Sequence, residues 1–245
     1  MIWFILLYPV LFIEMWLITK KVLLSLLLAV VFYAVVIMLA VFLGKVRMHK
    51  LHVLLDDECD IDGYEEAVHK MYRKAKQGSV PEQNYLLCQA VGAMCKGDVK
   101  RADELLNQMD ITKYRGNRIL LMNYYLNRIA CYYALPDLEK AEALYETQLV
   151  SLPALNKELR KGVEIAIAMH QYRTGKKEES YVTLKKLLTP DLRKRQYLGI
   201  LYYIALMDME NGKKEEAKKA FEKIVRLGNQ LDIVNLSKRQ LESFC

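Results

Sequence analysis

The chain has 245 residues, with 36 basic against 29 acidic side chains and a mean hydropathy near zero that averages two unlike parts. Residues 1–44 contain only three charged side chains, Glu14, Lys20 and Lys21, while residues 45–245 hold 34 Lys/Arg and 28 Asp/Glu. The net +6 of the body is interspersed with acids, which argues against nucleic acid, where a basic stripe is expected, and suits a surface near anionic lipid.

The first apolar segment, residues 2–18, carries Pro9 and Glu14 and is short for a span. Glu14 lies near Lys20 and Lys21, so its carboxylate can snorkel to the interface or pair with a lysine. The second segment, Val22 to Gly44, is 23 residues without a charge. A helix of that length crosses a hydrocarbon core of about 30 Å. No basic region precedes the first run and no small-residue cleavage site closes the second, which disfavours a secretory signal. The expectation is a transmembrane hairpin over 1–44, with spans at about 2–18 and 22–44. Lys45, Arg47 and Lys50 then outnumber the two lysines of the loop, so the body is expected on the cytoplasmic side, at the plasma membrane.

Residues 45–61 form a juxtamembrane linker in this reading. Within it, Glu58-Cys59-Asp60-Ile61-Asp62-Gly63 is similar to the start of a calcium-binding loop but lacks the bidentate glutamate, since His69 stands there. Asp62 with Glu65 is instead expected to form a capping box. The helix near 64–77 has no obvious pairing helix before it, so residues 50–55 or the membrane helix must cover its apolar face.

From Asp62 onward the sequence repeats. In each unit a turn is followed by a small residue, Ala67, Ala102, Ala141, Ser180 and Ala217, and four positions later by a large one, Met71, Leu106, Tyr145, Leu184 and Phe221; successive small residues lie 35, 39, 39 and 37 apart. Residues four apart share a helical face, so the small one lets a neighbour approach and the large one fills the space beside it. Twelve residues before the small residue of four units stand Ala90, Ile129, Ala168 and Ala205, within helical stretches 82–96, 119–134, 158–174 and 196–211. Turn glycines are Gly97, Gly175 and Gly212, with Pro136 in the remaining unit, and Pro153 and Pro190 follow second helices. The last segment, 232–244, places Ile233, Leu236, Leu241 and Phe244 on one side and reads as a capping helix.

This layout resembles the tetratricopeptide repeat, over roughly residues 62–228, with units a few residues longer than that family's. The resemblance implies an all-α fold: a solenoid of antiparallel helix pairs after the membrane hairpin, closed by a capping helix over 229–245. It also implies a concave partner-binding face on the first helices. The matching positions are Asn84, Leu87 and Val91; Asn123, Leu126 and Ala130; Ile165, Met169, Tyr172 and Arg173; and Tyr202, Leu206 and Met209. Tyr133, in a tyrosine-rich unit, joins the candidate binding residues. The family's terminal-carboxylate grip is not expected, because Leu87, Val91, Gly162 and Ala166 occupy several of its places and only Asn127 matches.

The five cysteines have no CxxC spacing, the four histidines form no helical metal pair, and no phosphate loop or nucleophile elbow is present. The sequence thus offers no catalytic residue, no cofactor, no metal and no small-molecule substrate. It leads to a membrane-anchored adaptor, not an enzyme, whose partners are proteins or peptides and the lipid bilayer, with no nucleic acid. Two competing expectations are a transport or enzyme subunit that uses Glu14 and an extracytoplasmic holding factor.

Overall fold

The computed structural model describes residues 9–10, 12–14, 17, 22–114, 116–149 and 157–244. Among them the ordered elements are all helical, with no strand. Two compact units divide the chain, residues 1–50 and 51–245.

In the first unit, α1 runs over Val22–His52. Nothing between Val22 and Gly44 breaks it: the run contains no proline and no charge. At about 1.5 Å per residue it extends roughly 46 Å, so it is long and apolar enough to cross a membrane, and the surplus carries exposed Lys45, Arg47, His49 and Lys50. Only 6% of its most apolar stretch is covered, unlike a helix in a water-soluble core. Ser25 and Ala29 are the covered residues, while Phe32, Met38 and Phe42 face outward. Of the preceding segment, the described residues are helical and Glu14 is exposed. The expected span over 2–18 and the Lys20–Lys21 loop lie largely outside the described residues, as do Pro153, the 152–156 loop and Cys245.

The second unit opens with a π-helical turn, Val53–Glu58, ended by Cys59 in the left-handed region at φ 55°. Next come α2 (Ile61–Tyr72), α3 (Val80–Lys96), α4 (Val99–Asn107) and a 3₁₀ turn at Ile111–Tyr114. They are followed by α5 (Arg118–Ala134), α6 (Leu138–Leu144) with a π-helical continuation at Tyr145–Leu149, and α7 (Lys157–Arg173). The remaining helices are α8 (Lys177–Leu187), α9 (Lys194–Glu210), α10 (Lys214–Leu227) and α11 (Asp232–Glu242).

Asp60, not Asp62, caps α2, accepting from the Gly63 N–H at 3.0 Å. Asp62 is already in the first turn, where its carboxylate and that of Glu65 both take Lys96 Nζ at 2.8 Å. A Cβ at Gly63 would collide with the Asp60 carboxylate, so the glycine belongs to the cap. The apolar face of α2 is covered by Leu51, Leu54 and Leu55, which pack with Tyr64, Ala67, Val68 and Met71.

The four turns after α3, α5, α7 and α9 close alike. The N–H of Asp98, Asp137, Lys176 and Lys213 bonds the carbonyl five residues back, on Ala93, Tyr132, Gln171 and Asp208, at 2.8–3.0 Å. Gly97, Gly175 and Gly212 sit at φ 81°, 87° and 76°, the left-handed conformation that ends a helix in this way. Helices α3 and α4, α5 and α6, α7 and α8, and α9 and α10 pack as neighbours. Their matching residues twelve apart share a core: Ala90 with Ala102, Ile129, the one large member, with Ala141, and Ala205 with Ala217, all buried. Ser180, fully buried, donates to the Ala168 carbonyl at 2.7 Å.

The beginning and end of this unit also meet. Cys59, Ile61, Leu198, Tyr202, Ala217, Phe221, Ile224 and Leu231 form one cluster, with Ile233, Leu236, Leu241 and Phe244 of the last segment against it. The Gln230 N–H bonds the Cys59 carbonyl at 3.3 Å, and the Gln230 side chain and the Asp62 backbone and carboxylate exchange two bonds of 2.9 Å.

Candidate functional site

A half-open cavity of about 360 Å³ lies inside the second unit, bounded by α5, α7 and α9. From α5 it takes Asn123, Leu126, Asn127, Ala130 and Tyr133; from α7, Gly162, Ile165, Ala166 and Met169; from α9, Arg195, Gln196, Gly199, Ile200 and Tyr203. On each helix these residues recur at three and four positions, so they form stripes that reach the same space. The small residues matter as much as the large ones. A Cβ on Gly199 would meet nothing within 4 Å, and one on Gly162 only Leu126 at 3.4 Å, so these two glycines leave volume that side chains would fill.

The lining is mostly apolar, with a polar minority. Asn127 donates to the Asn123 carbonyl at 2.7 Å. Tyr133 donates to Glu142 at 2.7 Å, and its oxygen lies 3.0 Å from His170 Nδ1. His170 is held in turn by Glu142 at 2.9 Å and by the Tyr145 ring stacked 3.9 Å away. Burial pushes the Tyr133 phenol well above its ordinary range, and the Glu142 bond adds to the rise; it is a fixed donor, not a titrating group.

Arg195 is the charged member of the lining. Its Nε donates to Asp56 Oδ1 at 2.7 Å and its Nη1 approaches Cys95 Sγ at 4.0 Å. Asp56 lies in the π-helical turn beyond the charge-free stretch of α1. Burial pushes its carboxyl up, but the His52 and Arg195 hydrogen bonds and the Arg195 charge outweigh that, and its pKa settles below the ordinary value. The thiols nearby are inert: burial pushes Cys59 up to about 11 and raises Cys95 as well.

The sequence-based lining is met in part. Asn123, Leu126, Ala130, Ile165, Met169 and Tyr133 converge on the cavity. Asn84 does not; it accepts from the Tyr114 hydroxyl at 3.0 Å, bracing the 3₁₀ turn. Leu87 is buried against α4, and Val91 packs with Leu51, Leu55 and Tyr64. Tyr172 packs edge-on against Tyr203, and Arg173 is exposed outside the lining. Tyr202, buried against Phe221, and with it Leu206 and Met209, belong to the cluster that includes Cys59 and Ile61. The cause is common to Val91, Tyr202, Leu206 and Met209: residues 51–61 pack between the first and last helix pairs and cover these faces. Arg195, Gln196, Gly199 and Tyr203 were not anticipated. Their signal was the stripe 196, 199, 200, 203 on α9, one position round from the stripe that the resemblance selected.

Comparison with protein-family models, with curated proteins and with solved structures gives no match. The fold and geometry themselves define a class: an all-helical protein with one helix long and apolar enough to cross a membrane, and a half-open cavity among the helices of its second unit.

Proposed function

We propose that the protein is a membrane-anchored adaptor. In this reading α1 crosses the bilayer, the segment over 2–18 completes a hairpin, and residues 51–245 are a cytoplasmic, tetratricopeptide-like stack of helix pairs. The stack holds a segment of a protein partner in its cavity, and the anchor raises that partner's local concentration at the membrane. The observation that carries the proposal is the cavity: three first helices, spaced by the repeat, direct apolar stripes and a few amide groups into one half-open space. An apolar lining with a few fixed polar groups is what a peptide-binding site requires. The outward-facing apolar surface of α1 supports the anchor.

Gly199→Leu tests this directly. The new side chain enters open space on a helix, so melting of the purified full-length chain should be unchanged or slightly higher. Partner recovery from detergent extracts should fall several-fold against the wild type. Undiminished recovery by the folded variant would place the partner surface elsewhere.

A further inference from the structure

Arg195 faces two ways. It is the charged side chain of the cavity lining, and it also holds the turn that follows α1 in the chain. A guanidinium has five N–H donors; those on Nε and Nη1 that reach Asp56 and Cys95 leave three without a protein acceptor among the described residues. Its side chain is 34% exposed. Among the described residues no carboxylate lines the cavity, and Asn123 and Gln196 add amide donors there.

The turn it holds is strained. Residues Val53–Glu58 follow π-helical geometry, which is uncommon, and Cys59 takes a left-handed conformation that non-glycine residues rarely adopt. Such a backbone persists only where its surroundings hold it. Besides His52, which meets Asp56 at 3.1 Å from within α1, the holders among the described residues come from the last quarter of the chain: Arg195 on Asp56, Arg193 on Asp57 at 2.8 Å, Asn229 on the Glu58 carbonyl at 3.2 Å, and Gln230 on the Cys59 carbonyl at 3.3 Å.

We propose that a ligand carrying a carboxylate on an apolar body binds in the cavity through Arg195, and that its binding loosens the Asp56 contact and so releases the Val53–Cys59 turn. Two carboxylates then share one guanidinium, and each weakens the other's hold. The coupling is reciprocal: whatever frees Arg195 from Asp56 strengthens ligand binding by the same factor. The inference rests on the cavity being a binding site, as in the function proposed above, and it adds both the ligand's charge and a route from the cavity to the segment that continues α1.

Hexanoate and hexanamide are the probes, applied to the full-length chain in nanodiscs with hydrogen–deuterium exchange over residues 53–60. Saturating hexanoate should accelerate exchange there roughly fivefold or more, the usual lower bound of such coupling, and hexanamide should not. Asp56→Asn should bind hexanoate tighter by the same factor and show fast exchange without it. Arg195→Gln should lose hexanoate binding; if it melts early, Arg195→Lys, which keeps the charge but not the fork, should show weakened binding. An apolar tetrapeptide with a free C-terminus, against its amide, separates a chain-end carboxylate from a fatty-acid one, and whichever binds should accelerate exchange alike. Equal binding of hexanoate and hexanamide, failure of every carboxylate probe to bind, or saturation without faster exchange would overturn the coupling. Partner recovery by Gly199→Leu is read separately, so the adaptor reading can survive that failure.

Discussion

Among the described residues of 1–50 the bulky apolar side chains point outward: Phe32, Met38 and Phe42 are 50%, 70% and 60% exposed, while Ser25 and Ala29 are covered. Among the described residues of 51–245 most bulky ones are turned inside, with Leu106, Leu184 and Phe221 fully buried, and again the small ones, Ala102, Ser180 and Ala217, are covered. The large side chains thus follow the solvent, facing outward where the surroundings are read as lipid and inward where they are water. In the second unit the small side chains serve a different purpose: they let another backbone come close, as Ser180 does with the Ala168 carbonyl. Composition separates the units at a glance, whereas the internal order of the second unit is written in the spacing of its small residues.

Substitutions that treat the two units alike should sharpen the contrast. Phe221→Ala removes a ring from the centre of the last pair and should lower the stability of the body by about 3–5 kcal/mol, read as urea denaturation followed by circular dichroism. Phe42→Ala should leave that transition unmoved. A charge placed in α1 reverses the test. Leu39→Arg should cost about 2.5–3.5 kcal/mol in membrane insertion, seen as loss of the chain from carbonate-washed membranes, with the body's transition unchanged. The smallest effect concerns the close approaches themselves: Ser180→Ala deletes the buried bond to the Ala168 carbonyl and should cost about 1 kcal/mol. A transition unchanged within error would mean that α7 and α8 are held by their apolar contacts alone.

Much of the second unit was legible because its signals are local. A small and a large residue four apart, and the turn glycines after the first helices, all act within one or two helical turns. The Asp60 cap was missed by two positions because Asp60 and Asp62 both precede the apolar run, and only the start of the helix distinguishes them. The cavity was half legible. On α5 and α7 the stripe with Asn123, Ala130, Ile165 and Met169 stays open, so periodicity was sufficient. On α3 and α9 it was not, because Leu51 and Leu55 pack with Val91, and Cys59 and Ile61 with Tyr202, and no local pattern announces contacts between residues about 40 and 140 apart. Arg195 was hidden for the same reason: in the run Arg193-Lys194-Arg195 nothing marks the residue that meets Asp56, 139 positions earlier.

Those long separations bear on how the body is made. The Asp62 and Glu58 contacts reach partners 168 and 171 residues downstream. A ribosome adding roughly 5–20 residues per second needs about 8–34 s to cover that distance. Throughout that interval the strained turn and the apolar side chains of Cys59 and Ile61 have been synthesised but the helices that shelter them have not. An array whose ends were independent could settle pair by pair as it emerged; this one has its first residues waiting for its last, so a chain stopped early by a premature codon leaves an apolar edge exposed, where quality-control proteases can recognise it.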